Sequence, residues 1–221
     1  MNDTGRLTTE RFPVTPFHQN CSLVWDPATR QAFIVDPGGD AAALHARVGE
    51  EGLTVSALLL THGHLDHAGG AAELRTLLSE TQEKPPEIIG PTIRDEFLLQ
   101  SIEEQAQHFG LTGLHSVSPD RFTTDGETFD LLGRSYKVLH VPGHTPGHVV
   151  FYDAKDQIVF AGDTLFRGTI GRTDFSYGDS RELITAIREK LLPLGDDVVV
   201  VPGHGAPTKI GIERATNQFL Q

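Results

Sequence analysis

Short apolar runs recur along this chain, and most of them end abruptly in glycine, proline or histidine. Cys21–Trp25 and Ala32–Val35 are rich in strand-forming residues, and the turn-like stretch 26–30 separates them. Asp36-Pro37-Gly38-Gly39 closes the second run, and Asp40 reads as the N-cap of a helix reaching about Val48. Val55 to Thr61 predicts a buried strand. Ala71 to Leu78 predicts a helix, with Leu74, Leu77 and Leu78 at helical spacing. A short strand over Glu87–Ile89 follows the Pro85-Pro86 break. One helix is expected over 93–109, with Phe97, Leu98, Ile102 and Phe109 as its apolar face. Strands are then predicted at 136–141, 149–152 and 158–161. An amphipathic helix follows at 180–192 and a last buried strand at 198–201.

These strands are almost continuously apolar rather than alternating, which implies burial on both faces. In each half a helix precedes an apolar strand that ends in histidine: 40–48 before 58–62, and 180–192 before 198–204. The expected fold is α/β, a four-layer αββα sandwich with two sheets packed face to face and helices outside. One domain spanning residues 1–221 is expected, since 221 residues with 38% hydrophobic content can bury a substantial core.

Composition narrows the function. No segment approaches the ~20 apolar residues that span a bilayer, so no membrane partner is expected. Met1–Glu10 carries neither an apolar stretch nor a small-residue cleavage site, which argues against secretion. Cys21 is the single cysteine, in keeping with a reducing cytoplasm. The net charge of −12 disfavours a nucleic-acid partner.

The chemistry lies in the loops. His62-Gly63-His64-Leu65-Asp66-His67 packs three imidazoles and a carboxylate into six residues directly after an apolar run. His144, Asp163 and His204 each follow an apolar stretch of their own. A lone histidine in a loop is ordinarily solvated, but this cluster would repel or titrate unless something organised it. Imidazole with carboxylate suits zinc first, with iron or manganese also compatible. Seven candidates exceed one tetrahedral site and fit two divalent metal ions about 3.5–4 Å apart. Asp163 is the natural bridge, because a carboxylate offers two oxygens. Such a centre hydrolyses esters, thioesters, amides or phosphodiesters by lowering the pKa of water toward about 7. His140 and His148 read as supporting residues rather than ligands. His18, His45, His108 and His115 read as surface or helix residues.

The motifs resemble the metallo-β-lactamase superfamily. Residues 61–70 match its signature loop, and residues 142–148, 162–166 and 202–205 match its later motifs in order. Within it, the chain is similar to type II glyoxalases, the hydroxyacylglutathione hydrolases, in their short single-domain bacterial form. The resemblance implies that His62, His64 and His144 hold one metal, that Asp66, His67 and His204 hold a second, and that Asp163 bridges. It also implies that Asp66 orients the nucleophile. Gly171-Arg172-Thr173-Asp174-Phe175 falls where two-domain relatives contact glutathione, making Arg172 the candidate for substrate binding. An ion pair between Arg172 and Asp174 is the competing structural role. Few residues follow His204, so the C-terminal helical domain of longer relatives is expected to be missing, along with its basic residues for glutathione.

The activity expected is hydrolysis of S-lactoylglutathione or a related glutathione thioester. The rival expectation is a mononuclear iron dioxygenase acting on glutathione persulfide through His62, His144 and Asp163. A non-enzymatic metal or redox sensor is a third.

Overall fold

The computed structural model describes residues 5–221. The first four residues of the Met1–Glu10 segment lie outside the described residues. Two mixed sheets carry the architecture. The first contains β1 (Thr8–Val14), β2 (Gln19–Trp25), β3 (Gln31–Val35), β4 (Thr54–Leu59) and β5 (Glu87–Ile89), in that spatial order. Its first three strands pair antiparallel, and β3, β4 and β5 run parallel. The second sheet is built from β6 (Thr128–Leu131), β7 (Arg134–His140), β8 (Val149–Asp153) and β9 (Ile158–Gly162). A small ribbon of β10 (Leu165–Phe166) and β11 (Thr169–Ile170) follows. The chain then adds β12 (Val199–Pro202), parallel to β9, and β13 (Thr208–Lys209) at the edge.

The near-continuous apolar runs are explained by alternation between two cores. Phe33, Val35, Ala57 and Leu59 of the first sheet meet Tyr136, Val138, Phe151 and Phe160 of the second in a central layer. The residues between them point outward. Ala32, Ile34, Leu58 and Leu60 pack beneath helices α1 (Ala41–Glu50) and α3 (Ala71–Thr81). Leu139, Val150, Val159 and Val200 pack beneath α6 (Ser180–Ala186). Phe33 meets Tyr136 edge-on, with ring centres 5.2 Å apart, at the middle of the sandwich. This is the αββα arrangement expected from the strand pattern.

Three local readings change. The helix expected over 93–109 is divided: a 3₁₀ turn at Ile93–Asp95 leads into α4 (Glu96–Gln100), and α5 (Ile102–His108) follows a break at Ser101. The Ser101 hydroxyl and the Gln105 amide both donate to the Leu98 carbonyl, which holds the break. Leu98 and Ile102 are buried as expected, but Phe97 and Phe109 are exposed. Asp40 does precede α1, yet its side chain does not cap the helix. It sits at φ +53° and accepts instead from the Thr15 backbone N–H at 2.8 Å. The helix at 180–192 is regular only to Ala186. It then widens to a π turn over Ile187–Leu191, and Leu192–Leu194 closes as a 3₁₀ turn containing Pro193. Its start is firmly set, because Asp179 Oδ1 accepts from the N–H groups of Arg181 and Glu182.

A short helix, α7 (Ile210–Thr216), forms where apolar periodicity predicts none. It is tied down by fully buried Glu213, which accepts from Thr208, Gly168 and Asn217. No helix among the described residues is long and apolar enough to cross a membrane.

Candidate metal centre

The expected site residues come together at one edge of the sandwich, where strands from both sheets end. His62 and His64 follow β4, and Asp66 and His67 lie on the single-turn helix α2 (Leu65–Ala68). His144 lies in the loop between β7 and β8. Asp163 follows β9 and His204 follows β12. Two glycines make this convergence possible. Gly143 has φ +122°, and a side chain there would strike the Leu183 backbone N at 2.5 Å. A Cβ on Gly203 would lie 2.3 Å from Asp163 Oδ1 and 2.5 Å from the His67 ring. Both Pro-Gly-His triplets thus need glycine for close approach.

The donor atoms form two sets. In the first, His64 Nδ1 lies 3.1 Å from His62 Nε2 and 3.0 Å from His144 Nε2. Imidazoles sharing one tetrahedral ion at about 2.0–2.1 Å would have nitrogens about 3.3 Å apart, so the spacing fits. In the second, Asp66 Oδ2 lies 3.9 Å from His67 Nε2 and 3.3 Å from His204 Nε2. Asp163 stands between them. Its Oδ2 is 3.6 Å from His144 Nε2 and 3.7 Å from His204 Nε2, while Oδ1 is 3.4 Å from His67 Nε2. Despite that proximity, His67 Nε2 and Asp163 Oδ1 are buried without a hydrogen-bond partner. Buried polar atoms are rarely left so, and a cation between them would satisfy both. The residues therefore fit metal binding.

The opposite ring nitrogens are anchored, which leaves the inward ones free as lone pairs. His62 Nδ1–H donates to the Thr61 hydroxyl at 3.0 Å, and that hydroxyl donates to Asp36 Oδ2 at 2.6 Å. His67 Nδ1–H donates to the same Asp36 oxygen at 2.8 Å. His144 Nδ1–H donates to the Arg172 carbonyl at 2.7 Å, and His64 Nε2–H to the Tyr177 oxygen at 2.9 Å. Asp36, His62 and His67 also cluster closely enough to hold an ion. Their facing nitrogens are already occupied by these bonds, so Asp36 supports the ligands. Asp95 is a second buried support. It accepts from Gly63 N–H, Gly147 N–H and the Thr145 hydroxyl, joining the His62–His67 loop to the His144 loop. Burial raises its pKa to about 6.

Electrostatics separate the two sets. Burial, together with neighbouring histidines, lowers the pKa of His62, and burial and His144 lower that of His64 to about 3. Burial also lowers that of His144. These rings are neutral and available as ligands. Burial disfavours charge on His67 too, but the carboxylates of Asp163, Asp66 and Asp36 outweigh it and raise its pKa. His204 is likewise raised: Asp66 and Asp163 overcome its partial burial.

His148 and His140 take supporting places. His148 Nε2 accepts from the Asp163 N–H at 2.9 Å, and its ring stacks on His62. His140 lies near the Pro146 carbonyl, 2.8 Å from Nε2. Arg172 lines the cavity, but its side chain is 63% exposed and forms a two-pronged bond with Asp174 at 2.7 and 3.0 Å. The ion pair weighed against substrate binding is therefore present. Sequence reasoning did not single out Asp36, Asp95 or Tyr177 as site residues. Each reaches the ligands across 25 or more residues of chain, with no local spacing to mark it.

His64, Asp66, His144, Asp163 and His204 line a cavity of about 1170 Å³, with His62 and His67 buried beneath it. Leu98, Ile170, Phe166 and Tyr177 are among its walls.

Comparison with known proteins agrees with this arrangement. The family model of the metallo-beta-lactamase superfamily matches residues 14–204. A hydroxyacylglutathione hydrolase, GloC of Haemophilus influenzae, is 48% identical over 215 residues, covering 97% of this chain and 98% of that protein. Among solved structures, the BLEG-1 B3 metallo-beta-lactamase is 33% identical, with a TM-score of 0.86, covering 96% of this chain and 99% of that one. TTHA1623 in a di-iron-bound form is 35% identical, with a TM-score of 0.83, covering 96% of this chain and 100% of that one. The chain belongs to the metallo-β-lactamase superfamily.

Proposed function

We propose that this chain is a metal-dependent hydrolase of glutathione thioesters, acting on S-lactoylglutathione or a related acylglutathione. The observation that carries the reading is the Asp163 carboxylate, which faces both donor sets at the floor of a large cavity. The similarity to a hydroxyacylglutathione hydrolase over nearly the whole chain supports the substrate class. His62, His64 and His144 would hold one ion, Asp66, His67 and His204 a second, with Asp163 shared. Zinc suits this set of imidazoles and carboxylates, as do iron and manganese. Divalent ions bound there polarise a carbonyl and lower the pKa of water.

The chain's own residues supply the rest. Asp66, part of the cavity lining, orients the attacking water toward the thioester carbon. Water adds to that carbon, the carbon–sulfur bond breaks, and the thiol leaves with a proton. Tyr177 keeps its own proton, because burial raises its pKa to about 12. With its oxygen accepting from His64, its O–H is free to donate toward the substrate. Arg172 offers charge to a glutathione carboxylate at the cavity rim. A cytoplasmic location fits the buried, unpaired Cys21.

The dioxygenase reading needs only His62, His144 and Asp163. It leaves the second donor set, Asp66, His67 and His204, without a role. The deciding experiment measures turnover of S-D-lactoylglutathione beside glutathione persulfide, with metal content read on the same sample. Thioester hydrolysis with about two equivalents of metal is expected. Oxygen uptake with persulfide, with iron as the sole active metal at one equivalent, would reverse the assignment.

A further inference from the structure

Several aromatic rings stand open at the cavity instead of joining a core. Phe97 is 49% exposed, Phe109 56% and Phe17 37%, and all three line the cavity. Open apolar surface beside a reaction centre marks a place where a ligand is covered.

The rings form two groups. Phe97 meets Tyr177 edge-on at 5.6 Å, and Tyr177 stacks on Phe175 at 5.2 Å. Phe175 lies 4.9 Å from the His64 ring and 5.6 Å from that of His144, so this group borders the first donor set. It also carries the Arg172 guanidinium, 4.4 Å above Phe175. The second group is Phe17 and Phe109, edge-on at 5.3 Å. Gln19, two residues after Phe17, pairs through its backbone with His204, and Asp66 and His204 of the second set line the same cavity as this pair. Arg172 is the one lysine or arginine among the cavity-lining residues. A carboxylate-bearing thiol arm belongs on its side. The Phe17–Phe109 pair, with the His108 ring edge-on to Phe109 at 5.3 Å, offers ring surface to an arm that buries hydrocarbon.

We propose that the Phe17–Phe109 pair seats an apolar acyl arm, so that thioesters of apolar acids longer than lactate are preferred substrates. This rests on the thioester reading above. Phe17 and Phe109 then set acyl specificity, and the Arg172 side holds the thiol.

The test uses metal-loaded protein with glutathione thioesters of acetate, butanoate and hexanoate beside S-lactoylglutathione. kcat/KM is expected to rise about tenfold from acetyl to hexanoyl, from partial burial of the added methylenes. In Phe17→Ala and Phe109→Ala the hexanoyl-to-acetyl ratio should fall toward unity, and Phe109→Leu should retain most of it. Calorimetric binding of hexanoate and acetate, the product acids, to the unmodified protein reads the same preference without turnover and without relying on any variant. A flat acyl series in the unmodified protein overturns the proposal, as does a ratio that survives loss of both rings. It is also overturned if the gain follows the thiol, so that acetyl carried on hexanethiol outperforms hexanoyl on glutathione. If no thioester is hydrolysed but hexanoate still binds in preference to acetate, the thioester reading fails and the apolar seat stands.

Discussion

The two donor sets lie side by side, yet the protein prepares them in opposite ways. The set of His62, His64 and His144 is all imidazole and almost wholly buried, and burial keeps the rings neutral. The set of Asp66, His67 and His204 mixes carboxylate with imidazole, and its His204 side chain is 31% exposed. There the nearby carboxylates raise the pKa of both rings, so a proton and a cation compete for the same ring nitrogens. One site is organised by exclusion of water, the other by charge. Asp163 faces both, with Oδ2 3.6 Å from His144 Nε2 and Oδ1 3.4 Å from His67 Nε2.

The largest effect should therefore come from Asp163. Asp163→Ala removes the shared carboxylate and leaves facing imidazoles uncompensated. Thioester turnover should fall to background and metal content below one equivalent. Retention of two equivalents would show that the sets are independent.

Asp66→Ala should divide the sets. Turnover should fall by about a hundredfold or more, because the nucleophile loses its positioning. Elemental analysis should move from two equivalents toward one, with the imidazole set still filled. Unchanged hydrolysis in this variant would sink the two-metal mechanism.

The supports sharpen the comparison further. Asp36 bonds His67 directly but reaches His62 only through Thr61. Asp36→Asn should weaken metal at the charged set by about 10–100-fold in a chelator competition, and less at the imidazole set. Equal weakening of both would mean that Asp36 acts through the fold.

Arg172→Ala should be the mildest. Its guanidinium is exposed and already paired with Asp174, so KM for S-lactoylglutathione should rise about threefold to tenfold with little change in kcat. A neutral small thioester should be less affected. Equal losses for both substrates would assign the Arg172 side chain to holding the loop whose backbone carbonyl bonds His144.

Much of this was legible along the chain. The His62–His67 cluster compresses four candidate ligands into six residues, a spacing with no ordinary structural explanation. The apolar strands announced burial on both faces, and the later ligands each stood at the end of one. These are local properties, carried by neighbouring residues whose separation is set by covalent geometry. The aromatic rim is hidden from the sequence for a related reason. Phe97 and Phe109 have the spacing of a core face, and helical periodicity cannot see a break at Ser101 stabilised by hydrogen bonds to the Leu98 carbonyl. The supports of the ligands lay beyond any pattern. Asp36 meets the cluster 25 to 31 residues away, Asp95 meets Thr145 across 50, and Tyr177 meets His64 across 113. Such pairs exist because two sheets bring their strand ends to one edge. Which buried donor finds which acceptor is settled there by packing, since each polar group taken from water must be bonded by whatever the fold places beside it.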